Sequence, residues 1–381
     1  MQGMRVAVQP EVLRWACERA GFTPERAPEA LPMLGAWLSG HKQPTIKQLE
    51  GFAKKTHTPV GYFFLDTPPA DVVPIPDFRT VRGKQIGRPS ANLLDTIYAC
   101  QERQAWFREH LQRSGGQPAS FVGEFTVRTG VMRAAEEMRA RLGFELAARK
   151  NDKTWEDALR RFIAQAEALG VLVMVNGVVG SNTHRKLNPE EFRGFALADA
   201  LAPLVFINGA DSKSAQMFTL AHELAHIWLG KSALSDVGPD AAPAHGVETW
   251  CNQVAAELLV PMKDFLAQHD PKRLLVEELQ RLARIYKVST LVVLRRVLDA
   301  GRISRRAFHL AYEAELARIK RAKGSGGDFY ATTNARVGKR FLRAVIANTL
   351  EGETLFTDAF RLMGFSSQKA FDRLAVDLGV R

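Results

Sequence analysis

A single five-residue stretch, His222-Glu223-Leu224-Ala225-His226, carries the most specific chemistry in this sequence. Residues four apart lie on one face of an α-helix, so the two imidazoles of this HExxH pattern can bind one zinc ion. The Glu223 carboxylate can then take a proton from water that the ion activates, which is the chemistry of carbonyl hydrolysis. Because the pattern also arises by chance, two helical histidines that only pack or cap are the alternative.

A catalytic zinc needs a third protein ligand and keeps its fourth position open. The segment 246–259 has a helical, amphipathic pattern and offers two acidic candidates, Glu248 and Glu257. Glu248 shares a helix face with Asn252, as a ligand does with a residue that orients a histidine. Glu257 is nine residues further along and points to roughly the opposite face. We therefore predict Glu248 as the ligand, Asn252 as a supporting neighbour and Glu257 as a solvated or structural carboxylate.

A hydrolytic site also needs a group that stabilises the negative charge of the tetrahedral intermediate. His184, Arg185 and His245 have suitable side chains. Each is equally compatible with a surface position, so the sequence does not choose among them.

The composition is that of an ordinary globular protein, with 46% hydrophobic and 24% charged residues. The three cysteines, Cys17, Cys100 and Cys251, are far apart and form no CxxC pair, which favours a reducing compartment and argues against a cysteine zinc site. The first residues lack the profile of a secretory signal, and no apolar run approaches the roughly 18 residues that span a bilayer. We expect a cytoplasmic protein that has no membrane partner.

The net charge of +11 is unevenly distributed along the chain. Residues 151–270 carry 15 acidic and 9 basic side chains, whereas residues 301–381 carry 8 acidic and 15 basic ones. A basic tail of this kind can attract nucleic acid or an acidic protein, although a solvated helical surface explains the same charges.

Hydrophobic periodicity predicts an α+β chain that is predominantly helical, with a few strands near its centre. Apolar runs at 171–175, 195–197 and 204–207 predict short strands, and Asn-Gly turn signals follow the first and the third. Prolines from residue 68 to residue 76 are typical of an extended linker. The longer helical patterns lie at 90–113, 131–143, 154–169, 214–229, 246–259, 275–299 and 304–322.

Two motifs in sequence order resemble the ImmA/IrrE family of metallopeptidases: the run Gln216–His226 and the pattern ExxxNxxAAELLVP from Glu248 to Pro261. The upstream runs Phe192–Leu197 and Ala202–Asn208 are also similar to strands of that family. The resemblance covers roughly residues 150–270.

This resemblance implies a small gluzincin-like domain in which His222, His226 and Glu248 bind zinc and Glu223 is catalytic. Trp250-Cys251 before Asn252 departs from the family pattern and alters the packing around the ligand. We expect Cys251 to be a small buried residue, because three ligands already suffice.

Residues 10–65 resemble a Cro/C1-type (XRE-like) helix-turn-helix, chiefly in Leu38-Ser39-Gly40, Pro44-Thr45 and Leu49. In such a module one helix enters the major groove and reads base edges with polar side chains. The corresponding segment here, Glu29–Ser39, has almost no hydrogen-bonding tips, so a scaffold for dimerisation or substrate docking is an equal alternative. The lysines that could contact phosphate, or could simply be solvated, are Lys42, Lys47, Lys54 and Lys55.

The tail from residue 329 resembles the extension of longer ImmA/IrrE members, with Arg336, Lys339, Arg340 and Arg343 as a basic cluster. The sequence as a whole predicts five parts. They are a helix-turn-helix domain at 1–66, a linker and helical segment at 67–145, the zinc peptidase domain at 146–270, a helical segment at 271–322 and a basic helical extension at 329–381.

Two functions compete for this sequence. The first is a zinc-dependent metalloendopeptidase that cleaves a regulatory protein such as a helix-turn-helix repressor, in a stress, phage or toxin-antitoxin setting. The second is a DNA-binding transcriptional regulator or antitoxin-like protein whose zinc fold is mainly structural. The intact HExxH and ExxxN patterns favour the first. The expected partners are a protein substrate, a repressor or a toxin; DNA bound through the N-terminal module and basic tail, and a homodimer, are compatible with either function.

Overall fold

A computed structural model describes residues 4–22, 31–70, 72–78, 80–81, 84–85, 89–235, 246–321 and 335–381 of the chain. It divides into two compact units, the first with residues 1–74 and 87–95 and the second with residues 75–86 and 96–381. Helices predominate over a small mixed sheet, so the predicted α+β, predominantly helical fold class is confirmed. The five predicted domain boundaries stay predictions. In the described part of the chain, no helix is both long enough and apolar enough to cross a bilayer.

The first unit is built from short helices with its own apolar core. Its elements are α1 (Pro10–Arg19), α2 (Leu34–Leu38), α3 (Ile46–Thr56) and a 3-10 turn (Val60–Phe64). Thr45 and Gln48 form a capping box at the start of α3, which satisfies backbone groups that the first helical turn leaves unpaired. The buried residues of the core include Leu13, Trp15, Phe52 and Phe63.

The second unit begins with a two-stranded antiparallel ribbon, β1 (Thr80–Val81) and β2 (Lys84–Gln85). Helix α4 (Ala91–Arg113) starts in the first unit and continues into the second. The elements that follow α4 are α5 (Val131–Leu142), α6 (Leu146–Lys150), α7 (Trp155–Leu169), β3 (Leu172–Asn176), β4 (Val178–Val179), β5 (Asn182–Lys186), β6 (Gly194–Leu197), β7 (Leu204–Asn208), α8 (Lys213–Trp228), β8 (Ala233–Ser235), α9 (Gly246–Leu259), α10 (Met262–Gln268), α11 (Leu275–Tyr286), α12 (Thr290–Asp299), α13 (Arg305–Arg321), α14 (Lys339–Leu350), α15 (Phe356–Met363) and α16 (Gln368–Asp377).

The central sheet has the strand order β3-β7-β6-β8, with β3 and β7 parallel and the other pairs antiparallel. All residues of these four strands are buried, which explains why the sequence shows continuous apolar runs rather than alternation. The three predicted strands are therefore confirmed, with ends that shift by one residue. The sequence analysis missed β8 and the β4–β5 hairpin, because these strands are very short or polar.

Helices α7, α8 and α9 contribute many residues to the core of the second unit, together with the strands. The helix predicted at 275–299 is wrong as a single element, since the structure has α11 and α12 in its place. Lys287 between them takes a left-handed conformation with φ 53°, which no α-helix accommodates. The Ser289 hydroxyl then accepts a hydrogen bond from the Val292 N–H and caps α12.

Candidate metal centre

Helix α8 holds the HExxH residues, and its first turn is anchored to the end of β7. The Ser212 hydroxyl accepts a hydrogen bond from the Ala215 N–H, and the Gln216 side chain donates to the backbone carbonyls of Gly209 and Asp211. From Gln216 to Trp228 every residue of the helix is buried. The histidines and the glutamate of the motif therefore lie in the interior, where polar groups are costly unless they have partners.

His222, His226 and Glu248 converge on one point between α8 and α9. The two Nε2 atoms lie 3.1 Å apart; the His222 Nε2 is 3.2 Å from Glu248 Oε2, and the His226 Nε2 is 2.9 Å from Glu248 Oε1. Burial on its own would raise the pKa of the Glu248 carboxyl, but the adjacent His222 and His226 lower it below its usual range. The carboxylate is thus kept ionised, which is the form that binds a metal.

These three side chains fit a zinc ion by donor type and by spacing. Two imidazole nitrogens and a carboxylate oxygen are an accepted ligand set for a catalytic zinc. Ligand atoms around a tetrahedral zinc lie about 3.3 Å apart, since each bond is roughly 2.0–2.1 Å long. The distances in the cluster are close to this spacing, and its ligand atoms all lie within 4.8 Å of one another. The buried group therefore matches a metal centre, with two ligands from α8 and one from the first turn of α9.

The Glu223 carboxyl lies beside this cluster and is fully buried. Burial raises its pKa well above the ordinary value, and the negative charge of Glu248 raises it further. The nearby Ser235 hydroxyl, at the end of β8, lowers the pKa of Glu223. The two groups are nevertheless not within normal hydrogen-bond geometry of each other. Among the described residues, neither carboxylate oxygen of Glu223 has a hydrogen-bond partner. A buried carboxyl left without a partner is the arrangement expected where a small polar molecule binds.

Gly194 on β6 lets the sheet approach the face of α8 that carries Glu223. A Cβ atom at this position would lie 2.6 Å from Thr219 Cγ2, 2.8 Å from the Phe206 carbonyl oxygen and 3.2 Å from Glu223 Cγ. Any larger residue would therefore push the strand away from the helix or displace Glu223. Glycine is thus needed at position 194 for steric reasons, because a side chain there would disturb the position of Glu223.

Contacts near both ends of helix α9 hold it in place. The Trp250 indole N–H donates to the Thr129 carbonyl oxygen over 2.8 Å and so fixes the turn that carries Glu248. Cys251 is fully buried near Glu248 and Glu223, and burial raises the pKa of its thiol well above the ordinary value. At the other end of α9, Glu257 is buried, forms an ion pair with Arg296 and accepts from the Met262 N–H. Glu257 is therefore a structural carboxylate.

The remaining predicted site residues are not brought to the cluster by any described contact. Asn252 is half-buried, and its amide oxygen has no hydrogen-bond partner among the described residues. The Nδ1 atoms of His222 and His226 also have none there, so the role of Asn252 in orienting a histidine stays a prediction. His184 and Arg185 lie on β5 of the small hairpin, and His184 is exposed. His245 lies outside the described residues.

The lysines assigned to nucleic-acid contact lie on the first unit and are all exposed: Lys47, Lys54 and Lys55 on α3, and Lys42 before it. Their contact with phosphate stays a prediction. The basic cluster of the tail is less accessible. Arg336 is buried, and Arg340 is half-buried over the Phe107 ring while its backbone N–H donates to Glu167. These two arginines therefore serve packing within the second unit.

Two residues next to the cluster had no signal in the sequence. Ser235 is brought to Glu223 by the pairing of β8 with β6, and Phe78 stacks on His226 with ring centroids 6.4 Å apart and planes at 13°. Phe78 belongs to the part predicted as a linker and helical segment, residues 67–145, just after its prolines. Both contacts depend on pairing between distant parts of the chain, which local patterns do not reveal.

Comparison with known families agrees with this geometry. Residues 166–298 match the family model of the IrrE N-terminal-like domain, Peptidase_M78, and residues 337–376 match a domain of unknown function, DUF8813. No curated protein matches the chain. The first match includes all of α8 and α9, and with them His222, Glu223, His226 and Glu248. It supports a metallopeptidase-type function for this part of the chain, which is similar to the IrrE N-terminal-like domain.

Proposed function

We propose that this protein is a zinc-dependent metalloendopeptidase that cleaves a regulatory protein. The observation that carries the proposal is the convergence of His222, His226 and Glu248 within 3.2 Å of one another. Beside them lies the carboxyl of Glu223, which has no hydrogen-bond partner in the part of the chain that the structure describes. The match of residues 166–298 to a peptidase family model supports the same class of reaction.

Each side chain of the site then has a separate task. His222, His226 and Glu248 would hold the zinc ion, which when bound acidifies water and polarises a carbonyl group. Glu223 receives a proton from the attacking water and delivers it to the leaving amine, as a general base and then a general acid. The buried surroundings strengthen these electrostatic interactions because water is excluded from around the charges.

A narrow regulatory role fits this chain better than general proteolysis. The cluster is buried, with Glu248 only 6% exposed, so only a segment able to enter the interior can reach it. The resemblance of residues 10–65 to a helix-turn-helix module supports a substrate from a regulatory setting, such as a repressor of the same class. The identity of that repressor is part of the proposal.

The test compares the wild-type chain with Glu223→Gln. Glutamine keeps the size of the side chain but cannot take up a proton, so we expect cleavage of a helix-turn-helix repressor to fall by about 10²–10⁴-fold. Zinc content, measured by elemental analysis, should not change, because Glu223 is not a ligand. The products would be identified by mass spectrometry.

The matched control is Glu191→Gln, which makes the same chemical change at a half-buried glutamate in the segment between β5 and β6. It should cleave at the wild-type rate. Full cleavage by Glu223→Gln would remove Glu223 from the mechanism, and a chain that holds no zinc would contradict the proposed metal centre.

A further inference from the structure

A cavity of about 420 Å³ lies in the second unit and shares no residue with the candidate metal centre. Residues 116–121 form one wall, and the ends of α4, α5 and α7 and the start of α14 contribute to the others. Its volume lies within the range of about 300–1,000 Å³ that is usual for small-molecule sites. Polar side chains that line it include Gln117, Ser120, Arg141 and Arg340. The cavity is therefore large enough and polar enough to hold a ligand of metabolite size.

Arg340 brings a positive charge to this cavity, and no carboxylate among the described residues forms an ion pair with its guanidinium. The guanidinium lies over the Phe107 ring, 5.6 Å from its centroid, and its Nε atom is buried without a hydrogen-bond partner in the described part of the chain. One terminal nitrogen donates to the Glu167 backbone carbonyl over a long 3.5 Å. The Glu167 carboxyl accepts from the Arg340 backbone N–H instead, and burial raises the pKa of that carboxyl. A half-buried guanidinium with unused donors is costly unless an anion completes its hydrogen bonds.

Arg141, in the last turn of α5, lines the same cavity. Its Nη2 atom pairs with Glu124 at 2.7 Å and with Glu137 at 3.2 Å. Both ion pairs use this one nitrogen, whereas a guanidinium has five N–H donors in a planar fork, so other donors remain for a ligand. Carboxylate and phosphate groups match the geometry of that fork. Because two carboxylates already offset the charge of Arg141, we expect Arg340 to contribute more of the affinity.

The wall formed by residues 116–121 continues into a segment that contacts the end of helix α8. The Gly123 N–H donates to the Ile227 carbonyl oxygen over 3.2 Å, and the Phe125 N–H donates to the Trp228 carbonyl oxygen over 3.0 Å. These carbonyls belong to the last two residues of α8, directly after its second candidate ligand. The segment therefore supports the end of the helix that carries both imidazoles.

The same segment also supports helix α9. The Thr129 carbonyl oxygen accepts the hydrogen bond of the Trp250 indole N–H, and Trp250 lies two residues after Glu248. Residues 121–129 thus contact both helices of the candidate metal centre, and the cavity wall leads directly into them. A ligand that stabilises this wall also stabilises the supports of the three candidate ligands.

We propose that the cavity is an effector site for a small-molecule oxyanion, a carboxylate or a phosphate, which binds between Arg340 and Arg141 and stabilises residues 116–129. Hydrogen bonds between charged partners are about twice as strong as neutral ones, which favours an anion over a neutral molecule of the same shape. An effect of this ligand on cleavage rests on the proposed function. Its binding and the stabilisation of the segment do not.

The test is isothermal titration calorimetry on the full-length, zinc-loaded protein at constant ionic strength. The probes are inorganic phosphate and malonate, and malonamide is the neutral counterpart of malonate. Arg340→Gln and Arg141→Gln each remove one guanidinium from the cavity. Arg343→Gln is the matched control, because it makes the same change at an exposed arginine of α14 that does not line the cavity.

We expect at least one of the two anions to bind with a Kd of about 1 mM or lower, and malonamide not to bind. Arg340→Gln should weaken binding at least about tenfold, because it removes hydrogen bonds from a charged group. Arg141→Gln should weaken binding by less, and Arg343→Gln should match the wild type. Tighter binding of phosphate identifies a phosphorylated ligand, and tighter binding of malonate identifies a carboxylate. The bound anion should also slow hydrogen exchange in residues 121–129, measured by mass spectrometry.

Binding that Arg340→Gln leaves unchanged would overturn the proposal, since an anion held by the zinc ion gives this result. So would the absence of saturable binding by both anions, or a bound anion that leaves exchange in residues 121–129 unaltered. If circular dichroism shows that Arg340→Gln loses its fold, Arg141→Gln must lower the affinity by itself. Failure of the proposed function would appear instead as absent cleavage by the wild-type chain with anion binding unchanged.

Discussion

The candidate metal centre and the N-terminal bundle both carry polar groups that the sequence marks for function, but the structure treats them differently. His222, His226 and Glu248 are buried and face one another. The lysines of the bundle, by contrast, are exposed. Helix α2 (Leu34–Leu38), which precedes these lysines in the chain, has only apolar residues and glycine. Because a buried polar group must be compensated, its burial points to a partner, whereas an exposed lysine is stable in water without one. The first region therefore supports a specific chemistry and the second does not.

The largest expected effect tests whether burial decides the energetic value of a charged group. It concerns the buried ion pair between Arg296 and Glu257, a residue near the end of α9. Arg296→Met should lower the free energy of unfolding by about 3–5 kcal/mol, because it leaves the Glu257 carboxylate buried without its cation. Denaturant titration followed by circular dichroism measures the change. The comparison is Arg160→Met, which breaks a pair with Asp157 on the exposed face of α7 and should change the free energy of unfolding far less, because water screens exposed charges. Similar losses in the two variants would show that burial does not govern the value of these charges.

Glu248→Ala should remove one of three ligands and weaken zinc binding by more than about 100-fold, since even partners of ligands contribute 10- to 100-fold. Zinc retained after dialysis against a chelator is the measurement. Gln253→Ala is the matched change on the same helix, where an exposed side chain is lost and the metal should stay. If Glu248→Ala keeps its zinc, Glu248 is not a ligand, and the burial of this cluster does not indicate a metal centre.

The sequence predicted the parts of the site that depend on local periodicity. His222 and His226 are four apart on one helix, and Glu248 lies on the first turn of another, so their faces could be derived without a structure. Ser235 and Phe78 could not be derived, because they reach the cluster only through pairing of β8 with β6 and with residues 76–78. The turn at Lys287 was missed for a related reason. A left-handed lysine has no local signature, although the Ser289 cap that follows it does.

Glycine substitutions sharpen the comparison of the two regions, because the same change should have opposite signs. Gly194→Ala places a Cβ 2.6 Å from Thr219 Cγ2 and should cost about 1–3 kcal/mol of unfolding free energy and reduce cleavage by displacing Glu223. Gly51→Ala lies inside α3 with nothing within 4 Å of its new Cβ, so it should stabilise the bundle by about 0.5–1 kcal/mol. Thermal and denaturant unfolding of both variants provide the test. A Gly194→Ala protein as stable and active as wild type would mean that the sheet does not hold Glu223 in place.

The smallest expected effect concerns the bundle itself. If Lys42 and Lys47 contact DNA phosphates, replacing either one with alanine removes one such contact. Lys42→Ala and Lys47→Ala should then each reduce the slope of log K against log salt by about 0.9 for duplex DNA. Sequence preference should not change. Fluorescence anisotropy at several salt concentrations measures the slopes. Glu50→Ala on the same helix is the control: it removes an exposed negative charge, so affinity should rise or stay constant. Binding that shows no salt dependence in the wild-type chain would exclude phosphate contact by these lysines. The bundle would then act as a scaffold for dimerisation or substrate docking, and the chemistry of the chain would reside in the buried cluster alone.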